Sequence, residues 1–153
     1  PVTIGAERLA NARAGLAEFG APVVIVDFGT ALTFDIVNRN SQYAGGIIAP
    51  GLSAMTDYLH EKTALLPRIE LRDPPSAIGK STEQAMQIGA VHGYRGLVRS
   101  LIAEVKKSLS ARQLPVVATG SFAKLIARKV PEITSVRPLL TLEGLRLASG
   151  DGN

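Results

Sequence analysis

Residues 23–37 read Val-Val-Ile-Val-Asp-Phe-Gly-Thr-Ala-Leu-Thr-Phe-Asp-Ile-Val, and this stretch decides the fold. The run of four β-branched residues predicts a buried strand, because such side chains pack well on a pleated surface. The run ends in Asp27, and the turn Phe28-Gly29-Thr30 leads into a second apolar run. Two apolar runs joined by so short a connection predict an antiparallel pair of strands.

The turn between these two strands carries chemistry that suits a metal ion and a phosphate. Asp27 offers carboxylate oxygens, which are ligands for hard cations. Gly29 lets the backbone approach a ligand without a Cβ in the way. Thr30 adds a hydroxyl, and the neighbouring backbone N–H groups suit phosphate oxygens. Taken alone, the turn also fits an ordinary β-hairpin, so the rest of the chain has to decide between a phosphate site and a plain turn.

Helical and extended patterns alternate along the rest of the chain. A helix is predicted over 7–19, with apolar residues on one stripe at helical spacing. That stripe consists of Leu9, Ala12, Leu16 and Phe19. Strands are predicted at about 22–27, 31–38, 42–48 and 116–120, and helices at about 52–65, 82–110, 122–129 and 141–148, with a loop at 68–81.

The long helix at 82–110 has two features that bear on its packing. Thr82 is the predicted N-cap, because Ser, Thr and Asp side chains accept hydrogen bonds from the first turn. The predicted core stripe consists of Ala85, Ile88, Leu97, Leu101, Val105 and Leu109. Gly89, Gly93 and Gly96 lie on or near one face, and each costs about 1 kcal/mol in a helix interior. Close packing against another element explains them better than a ligand contact does.

The order of elements predicts an α/β fold. A three-stranded antiparallel meander followed by alternating helices and strand is typical of a ribonuclease H-like domain, in which helices cover a mixed sheet. At 153 residues the chain is long enough for one such domain with a real core. We therefore expect residues 1–153 to form a single domain.

Composition excludes several classes of protein. The chain has 46% hydrophobic and 20% charged residues, as soluble globular domains do. It has no cysteine, which excludes disulfides, thiolate metal sites and a thiol nucleophile. No apolar run approaches the length that spans a bilayer. We expect a cytoplasmic protein with no membrane partner.

The net charge of +4 is compatible with an anionic partner. The basic residues are scattered along the chain, which has three Tyr, four Phe and no Trp. A basic face interleaved with aromatic residues, as single-stranded nucleic acid requires, is therefore missing. We do not expect nucleic acid as a partner, and a phosphorylated small molecule accounts for the charge at least as well.

Several blocks of sequence resemble one family. Asp27-Phe-Gly-Thr-Ala-Leu-Thr-Phe-Asp35 resembles the second phosphate motif of the acetate kinase, sugar kinase, Hsp70 and actin superfamily. Further blocks resemble the type III pantothenate kinases in particular. They are Tyr43-Ala-Gly-Gly-Ile-Ile-Ala-Pro-Gly-Leu52, Thr63-Ala-Leu-Leu-Pro67, Ile78-Gly-Lys-Ser-Thr82, Gly89-Ala-Val-His-Gly93, Ala118-Thr-Gly120 and Leu140-Thr-Leu-Glu-Gly-Leu145. The resemblance covers nearly the whole chain.

The resemblance implies an activity and its requirements. The family transfers the γ-phosphate of ATP to the hydroxyl of pantothenate, the first step of coenzyme A biosynthesis. Its members need Mg²⁺ and a monovalent cation, K⁺ or NH₄⁺, and form homodimers. We expect ATP and pantothenate as the small-molecule partners of the complete enzyme.

On the nucleotide side, the resemblance implies roles for five residues. Asp27 matches the acid that holds the monovalent cation near the phosphates. Gly29 and Thr30 match the ATP-contacting loop. Thr119 and Gly120 match the strand and turn on the adenosine side.

On the pantothenate side, Gly5-Ala6-Glu7-Arg8 matches the family's Gly-x-Asp-Arg block. The resemblance makes Glu7 the general base, and it places Gly5, Ala6 and Arg8 against pantothenate. Thr82 matches a threonine that contacts pantothenate near the dimer interface. From the residues alone, Glu7 and Arg8 fit equally a pair of surface charges at a helix start.

Asp35 has two interpretations that the sequence leaves open. It follows an apolar strand pattern and lies eight positions after Asp27. It is either a buried, hydrogen-bonded carboxylate or a second ligand in the site.

Two departures from the family pattern limit what can be transferred. The family's base is aspartate and this chain has Glu7, and a displacement of about 1 Å can cost roughly a hundredfold in rate. The superfamily's first phosphate loop, Asp-x-Gly-Asn-Thr, does not occur in the chain, which begins at Pro1. We expect the second half of a two-domain kinase, with residues 1–20 as an interdomain, active-site helix and with no activity on its own. The alternative is a non-catalytic regulatory protein of the same family that binds nucleotide or pantothenate, a transcriptional accessory factor.

Overall fold

The computed structural model describes residues 4–150. Its elements, in chain order, are α1 Ala6–Phe19, β1 Val23–Phe28, β2 Ala31–Val37, β3 Tyr43–Pro50, α2 Leu52–Lys62, α3 Thr82–Ser108, β4 Val116–Thr119, α4 Ala123–Ala127, β5 Ser135–Val136 and α5 Leu140–Ser149. Among these helices none is long and apolar enough to cross a membrane.

One mixed sheet organises the chain, with the strand order β3-β2-β1-β4-β5. The strands β1, β2 and β3 pair antiparallel, so the predicted meander is confirmed. The strand β4 pairs parallel with β1, and β5 pairs parallel with β4. The predicted α/β class and mixed sheet are therefore confirmed.

Helices cover both faces of the sheet because β1 and β4 are apolar on both sides. On one face Val24, Val26 and Phe28 pack with residues of α3 and α4. On the other face Val23 and Ile25 pack with residues of α1 and α5. Asp27 continues the second set in register, so its side chain lies on the face that α1 covers.

The predicted buried faces of two helices are confirmed only in part. In α1, Ala12 is buried and Leu16 and Phe19 pack against the core as predicted, but Leu9 is exposed, and the buried face also includes the small residues Ala10, Ala14 and Gly15. The reason is close approach, since a Cβ on Gly15 would lie 2.5 Å from Ile25 Cδ1. A helix that lies so near a sheet buries small side chains, and large apolar ones are left at its edge.

In α3, Val105 of the predicted stripe is buried, Leu97, Leu101 and Leu109 are partly buried against the core, and Ala85 and Ile88 lie outside the buried face. The buried face consists of Met86, Gln87, Ala90, Val91, Tyr94, Arg95, Val98, Ile102 and Val105. Two of these positions are polar, so the spacing of apolar residues in the sequence does not identify this face. Gln87 Nε2 donates to the Glu70 carbonyl at 2.9 Å. Arg95 donates to Asp73 and to the Leu125 carbonyl. Hydrogen bonds to loop and helix backbone make burial of both polar groups tolerable.

The ends and glycines of α3 also differ from expectation. The N-cap is Ser81, whose side chain accepts a hydrogen bond from the Gln84 N–H, so the cap prediction for Thr82 is wrong. A Cβ added at Gly89, Gly93 or Gly96 would meet nothing within 4 Å. The close packing predicted for these glycines is therefore absent within residues 4–150.

Smaller errors concern short elements. The helix predicted over 122–129 is the shorter α4, and β5 was not predicted at all. A two-residue strand carries no periodicity, so only its pairing with β4 identifies it. The helix predicted at about 141–148 is α5, which extends one residue further at each end.

Replacing Asp73 with Asn is expected to lower the free energy of unfolding by about 1.5 kcal/mol at neutral pH, the value of a charge-assisted hydrogen bond. The hydrogen bond from the Arg95 guanidinium holds the pKa of the Asp73 carboxyl below its usual range. A lowered pKa gives stability that is present above the ordinary value and lost as pH falls through the folded-state value. Urea unfolding from pH 7 to pH 2.5 should show the two proteins converging in acid. A constant difference across this range would contradict the charge pairing.

Candidate active site

A cavity of about 280 Å³ opens at the end of β1 beside the start of α1. It brings together five of the residues predicted for the site together with three others. The lining consists of Glu7, Arg8, Asn11, Asp27, Gly29, Thr30, Ala31 and Thr33. Residues from the start of α1 and from the turn after β1 therefore line one cavity, although most of α1 and of β1 separates them in sequence.

The position of the cavity follows from strand register and helix spacing. Asp27 pairs with Thr33 across β1 and β2, so both side chains lie on the face that carries α1. Arg8 and Asn11 are three positions apart on α1, which places them on one side of the helix. That side faces the carboxyl end of β1.

Asp27 is held by a chain of hydrogen bonds that sequence reasoning missed. Asn11 Nδ2 donates to Asp27 Oδ2 at 3.1 Å. Thr141 Oγ1, from α5, donates to Asn11 Oδ1 at 2.7 Å. Because Thr141 occupies the amide oxygen, the amide nitrogen of Asn11 must point at Asp27. The sequence did contain a signal for this contact, namely an asparagine among the small residues of α1, one turn after Arg8.

The electrostatics of Asp27 favour a cation. Burial raises the pKa of the Asp27 carboxyl above its usual range, the Asn11 hydrogen bond opposes this, and the negative charge of Glu7 adds to it. Folding therefore leaves this carboxylate short of solvation and beside a second negative charge. A bound cation would relieve both penalties.

Thr119 and Gly120 lie next to Asp27 at the end of β4. Thr119 is buried and pairs with Asp27 in the parallel ladder. Gly120 has a φ of +91°, and a Cβ there would lie 2.6 Å from Asp27 Oδ1 and 2.7 Å from the Phe28 carbonyl oxygen. Only glycine fits both the conformation and the approach. The turn after β4 thus lies against the turn after β1, and the predicted nucleotide roles of Thr119 and Gly120 stay predictions.

Asp35 is fully buried and hydrogen-bonded. Its Oδ1 accepts from Arg8 Nε at 2.7 Å and from the Tyr43 hydroxyl at 2.9 Å. Burial raises the pKa of the Asp35 carboxyl above its usual range, and the Tyr43 and Arg8 contacts oppose the shift. Of the two interpretations that the sequence left open, the hydrogen-bonded carboxylate is the one observed.

Thr82 is not brought to this cavity. It is exposed at the first position of α3, and the cavity lining does not include it. Gly5 and Ala6 are exposed at the start of α1, next to Glu7. The roles of all three stay predictions.

The donors present suit a cation that takes most of its ligands from water or substrate. No group of three or more His, Cys, Asp or Glu side chains within residues 4–150 could hold a metal ion. Asp27 contributes carboxylate oxygens, and Thr30 a hydroxyl and a carbonyl. Mg²⁺ is typically bound by one or two carboxylates together with phosphates and water. Two carboxylates, of Glu7 and Asp27, line the cavity, and the role of Asp27 as a cation ligand stays a prediction.

Replacing Thr141 with Val is expected to lower the free energy of unfolding by about 1–2 kcal/mol, because it leaves the buried Asn11 amide oxygen without its donor. Urea unfolding measures the change. Thr63→Val is the matched control, since the Thr63 hydroxyl donates to the Leu59 carbonyl and accepts from the Leu66 N–H at an exposed helix end, and it should change stability by about 0.5 kcal/mol or less. Equal effects of the two substitutions would show that the Asn11 contact is not a fixed bond.

Comparison with known proteins decides the family. The family model for type III pantothenate kinase matches residues 1–104, a span that includes the whole cavity. The chain belongs to the type III pantothenate kinase family. The resemblance drawn from the sequence blocks is therefore confirmed.

Relatives within the type III pantothenate kinase family match almost the entire chain. The type III pantothenate kinase of Methylacidiphilum infernorum is 52% identical over 148 residues, which are 96% of this chain and 55% of the relative. That of Akkermansia muciniphila is 54% identical over 150 residues, which are 98% of this chain and 62% of the relative. The chain thus spans little more than half the length of these curated relatives.

Solved structures confirm the fold. A protein from Campylobacter jejuni, described as a conserved member of the Baf family of transcriptional activators, superposes with a TM-score of 0.64 at 21% identity, over 97% of this chain and 64% of the other. The ethanolamine utilization protein EutJ from Carboxydothermus hydrogenoformans superposes with a TM-score of 0.51 at 18% identity, over 92% of this chain and 53% of the other. At these identities the likeness concerns the ribonuclease H-like fold alone.

Proposed function

We propose that this chain is half of an enzyme that transfers the γ-phosphate of ATP to the hydroxyl of pantothenate, the first step of coenzyme A biosynthesis, in the cytoplasm. The observation that carries the proposal is the meeting of Glu7, Arg8, Asp27 and Thr30 in one cavity. Phosphoryl transfer to a hydroxyl requires a base, a positively charged group that binds the substrate and a loop that binds phosphate.

On the nucleotide side, phosphoryl transfer depends mainly on positioning and charge stabilisation. Asp27 would hold K⁺ or NH₄⁺, and the bound cations, with Mg²⁺ on the nucleotide, would offset phosphate charge. Thr30 and the amides around Gly29 would bind phosphate oxygens. Thr119 and Gly120 would line the adenosine side, which their place against Asp27 supports.

On the pantothenate side, Glu7 would accept the proton of the reacting hydroxyl. Its place in the cavity beside Arg8 supports this role. Arg8 would bind the substrate carboxylate, because a guanidinium matches a carboxylate in charge and shape. Gly5 and Ala6 would contact pantothenate through the backbone, and Thr82 would contact it from near the dimer interface.

The complete enzyme would contain a further domain. The chain spans 55% of one relative and 62% of another, and kinases of this superfamily clamp ATP between two similar domains. We propose that residues 1–153 are the second domain and that residues 1–20 form the helix between the two. Residues 1–3 of that segment lie outside the described part of the chain.

A homodimer would use the groove between α2 and α3. This groove has a volume of about 550 Å³ and a mostly apolar lining, including Met55, Tyr58, Leu59 and Met86. Gly89 lies on its edge, and Thr82 begins the same helix. Light scattering of the wild type and of Tyr58→Glu tests the proposal, and a wild-type monomer would contradict it.

The experiment that tests the proposed function is an assay of ADP release by the full-length gene product. Turnover should require ATP, pantothenate and K⁺ or NH₄⁺ together. Residues 1–153 alone should be inactive. Binding of ATP and pantothenate without turnover would instead support a regulatory member of the family, and robust turnover by residues 1–153 would refute the two-domain proposal.

A further inference from the structure

The guanidinium of Arg8 is held along one side by the sheet. Its Nε donates to Asp35 Oδ1 at 2.7 Å, and its Nη2 donates to the Phe34 carbonyl at 3.0 Å. Both acceptors are on β2, whose backbone is fixed by pairing on either side. The orientation of the guanidinium is therefore set by the sheet, whereas an arginine on an exposed helix start would ordinarily be mobile.

Two residues of β3 complete this support. The Tyr43 hydroxyl donates to the same Oδ1 that accepts from Arg8, so the carboxylate cannot rotate without losing two hydrogen bonds. A Cβ on Gly46 would overlap Arg8 Nη2 and the Phe34 carbonyl oxygen. Glycine at position 46 thus leaves the space in which the guanidinium lies.

The remaining side of Arg8 is left for a ligand. Its Nη1 has no hydrogen-bond partner within residues 4–150, and the side chain lines the cavity with Glu7 and Asp27. A planar guanidinium fixed along one edge presents its other N–H groups in one direction. That direction is toward the cavity, where a carboxylate would be bound.

Burial of the Asp35 carboxylate by itself lowers the stability of the fold. The Asp35 side chain is fully buried, and its Oδ2 has no hydrogen-bond partner among residues 4–150. Burying a carboxylate with an unpaired oxygen costs more free energy than an apolar side chain would. Orienting Arg8 is a role that would justify this cost.

We propose that Asp35 and Tyr43 are positioning residues that orient Arg8 toward the carboxylate of pantothenate and so select the acid over uncharged analogues. The inference rests on the proposed function and extends it from contact residues to specificity. Neither residue touches the substrate, and each acts through Arg8.

The test compares pantothenate with panthenol, in which a hydroxymethyl group replaces the carboxylate. Wild-type full-length protein, Asp35→Asn and Tyr43→Phe are assayed for kcat and KM with both compounds. The control is Tyr94→Phe, which removes a buried hydroxyl that donates to the Pro50 carbonyl at 2.9 Å elsewhere in the fold. Circular dichroism and thermal melts accompany each variant.

Asp35→Asn should raise KM for pantothenate about tenfold or more, because Arg8 loses its charged anchor, and should leave the constants for panthenol nearly unchanged. Tyr43→Phe should lower the preference for the acid about 3- to 10-fold, the value of one hydrogen bond. Tyr94→Phe should leave the preference unchanged even where it lowers the melting temperature.

The outcomes separate the inference from the proposed function. A wild type that phosphorylates neither compound overturns both. An active wild type with an unchanged preference in Tyr43→Phe and in Asp35→Asn overturns the positioning role alone. Equal losses with both compounds would show that Asp35 is structural, and if Asp35→Asn does not fold, Tyr43→Phe decides.

Discussion

Asp27→Asn is expected to lower kcat/KM of the full-length protein for ATP by about 10²- to 10³-fold at limiting potassium, the cost of losing one preorganised electrostatic group. The same substitution is expected to raise the melting temperature of the free protein. The opposite signs follow from the site itself. Asp27 is a half-buried carboxylate next to Glu7, and we expect it to benefit the protein only when a cation is bound.

The sign of the stability change comes from the pKa. Burial raises the pKa of Asp27 in the folded state, so ionisation at neutral pH opposes folding. This penalty is absent below the ordinary pKa of 3.8, grows as pH rises above that value, and is complete once pH exceeds the folded-state pKa. Asparagine imitates the neutral form and can still accept the hydrogen bond from Asn11. The stability gained by the variant should therefore be larger at pH 7 than at pH 3.

Three measurements test the role of Asp27 as a cation ligand. Added K⁺ should raise the melting temperature of the wild type, as any ligand that binds only the folded state does, and should not raise that of Asp27→Asn. Glu104→Gln, which neutralises an exposed carboxylate on α3, is the control and should leave activity and the potassium response unchanged. Unchanged ATP turnover by Asp27→Asn at limiting potassium would remove Asp27 from the cation site.

Gly144→Ala is expected to lower the free energy of unfolding by about 3 kcal/mol, the upper end of the usual range for overpacking. A Cβ at position 144 would overlap the carbonyl oxygen of Ala10. The Cβ is attached directly to the backbone of α5 and the oxygen belongs to the backbone of α1, so no flexible side chain can move aside, and α5 must shift away from α1. In a domain of this size, that loss corresponds to a melting temperature about 6–12 °C lower.

The matched control for this substitution is Gly96→Ala. Gly96 also lies inside a helix, but a Cβ there meets nothing within 4 Å. Alanine should therefore raise the free energy of unfolding by about 1 kcal/mol through its better helix propensity. Thermal melts of the two variants should move in opposite directions, and a shared direction would contradict the close contact between α1 and α5.

Gly144→Ala should also impair the site. Ala10 adjoins Asn11, and Thr141 lies one turn before Gly144. A shift of α5 therefore breaks the hydrogen bond from Thr141 to Asn11 that orients Asp27. We expect a weaker potassium response in the variant at a temperature where it is still folded.

The sequence predicted the sheet better than it predicted helix packing. The meander was predictable because β1 and β2 are apolar runs joined by a short turn, and local pattern determines such pairing. The buried face of α3 was not predictable, because Gln87 and Arg95 are buried only through partners in loop 63–81 and in α4. Hydrogen bonds to distant backbone leave no trace in a local hydrophobic pattern.

In the candidate site, too, residues in local sequence patterns were predictable and residues that act across elements were not. Asp27, Thr30 and Glu7 occur in blocks that resemble a known family, and the cavity brings them together. Asn11 lies outside these blocks, and Tyr43 and Thr141 occur in such blocks without a predicted role in the site. Each acts on a residue of another element, so only the folded geometry identifies it.

The hydrogen bond between Asn11 and Thr141 joins residues 130 positions apart. During synthesis, α1 and the β1 strand leave the ribosome long before Thr141 has been translated. The carboxylate of Asp27 therefore has its final orientation only after nearly all of these 153 residues have been made. Contacts of such long range form late in folding, so a nascent chain should bind potassium and nucleotide only once α5 has docked.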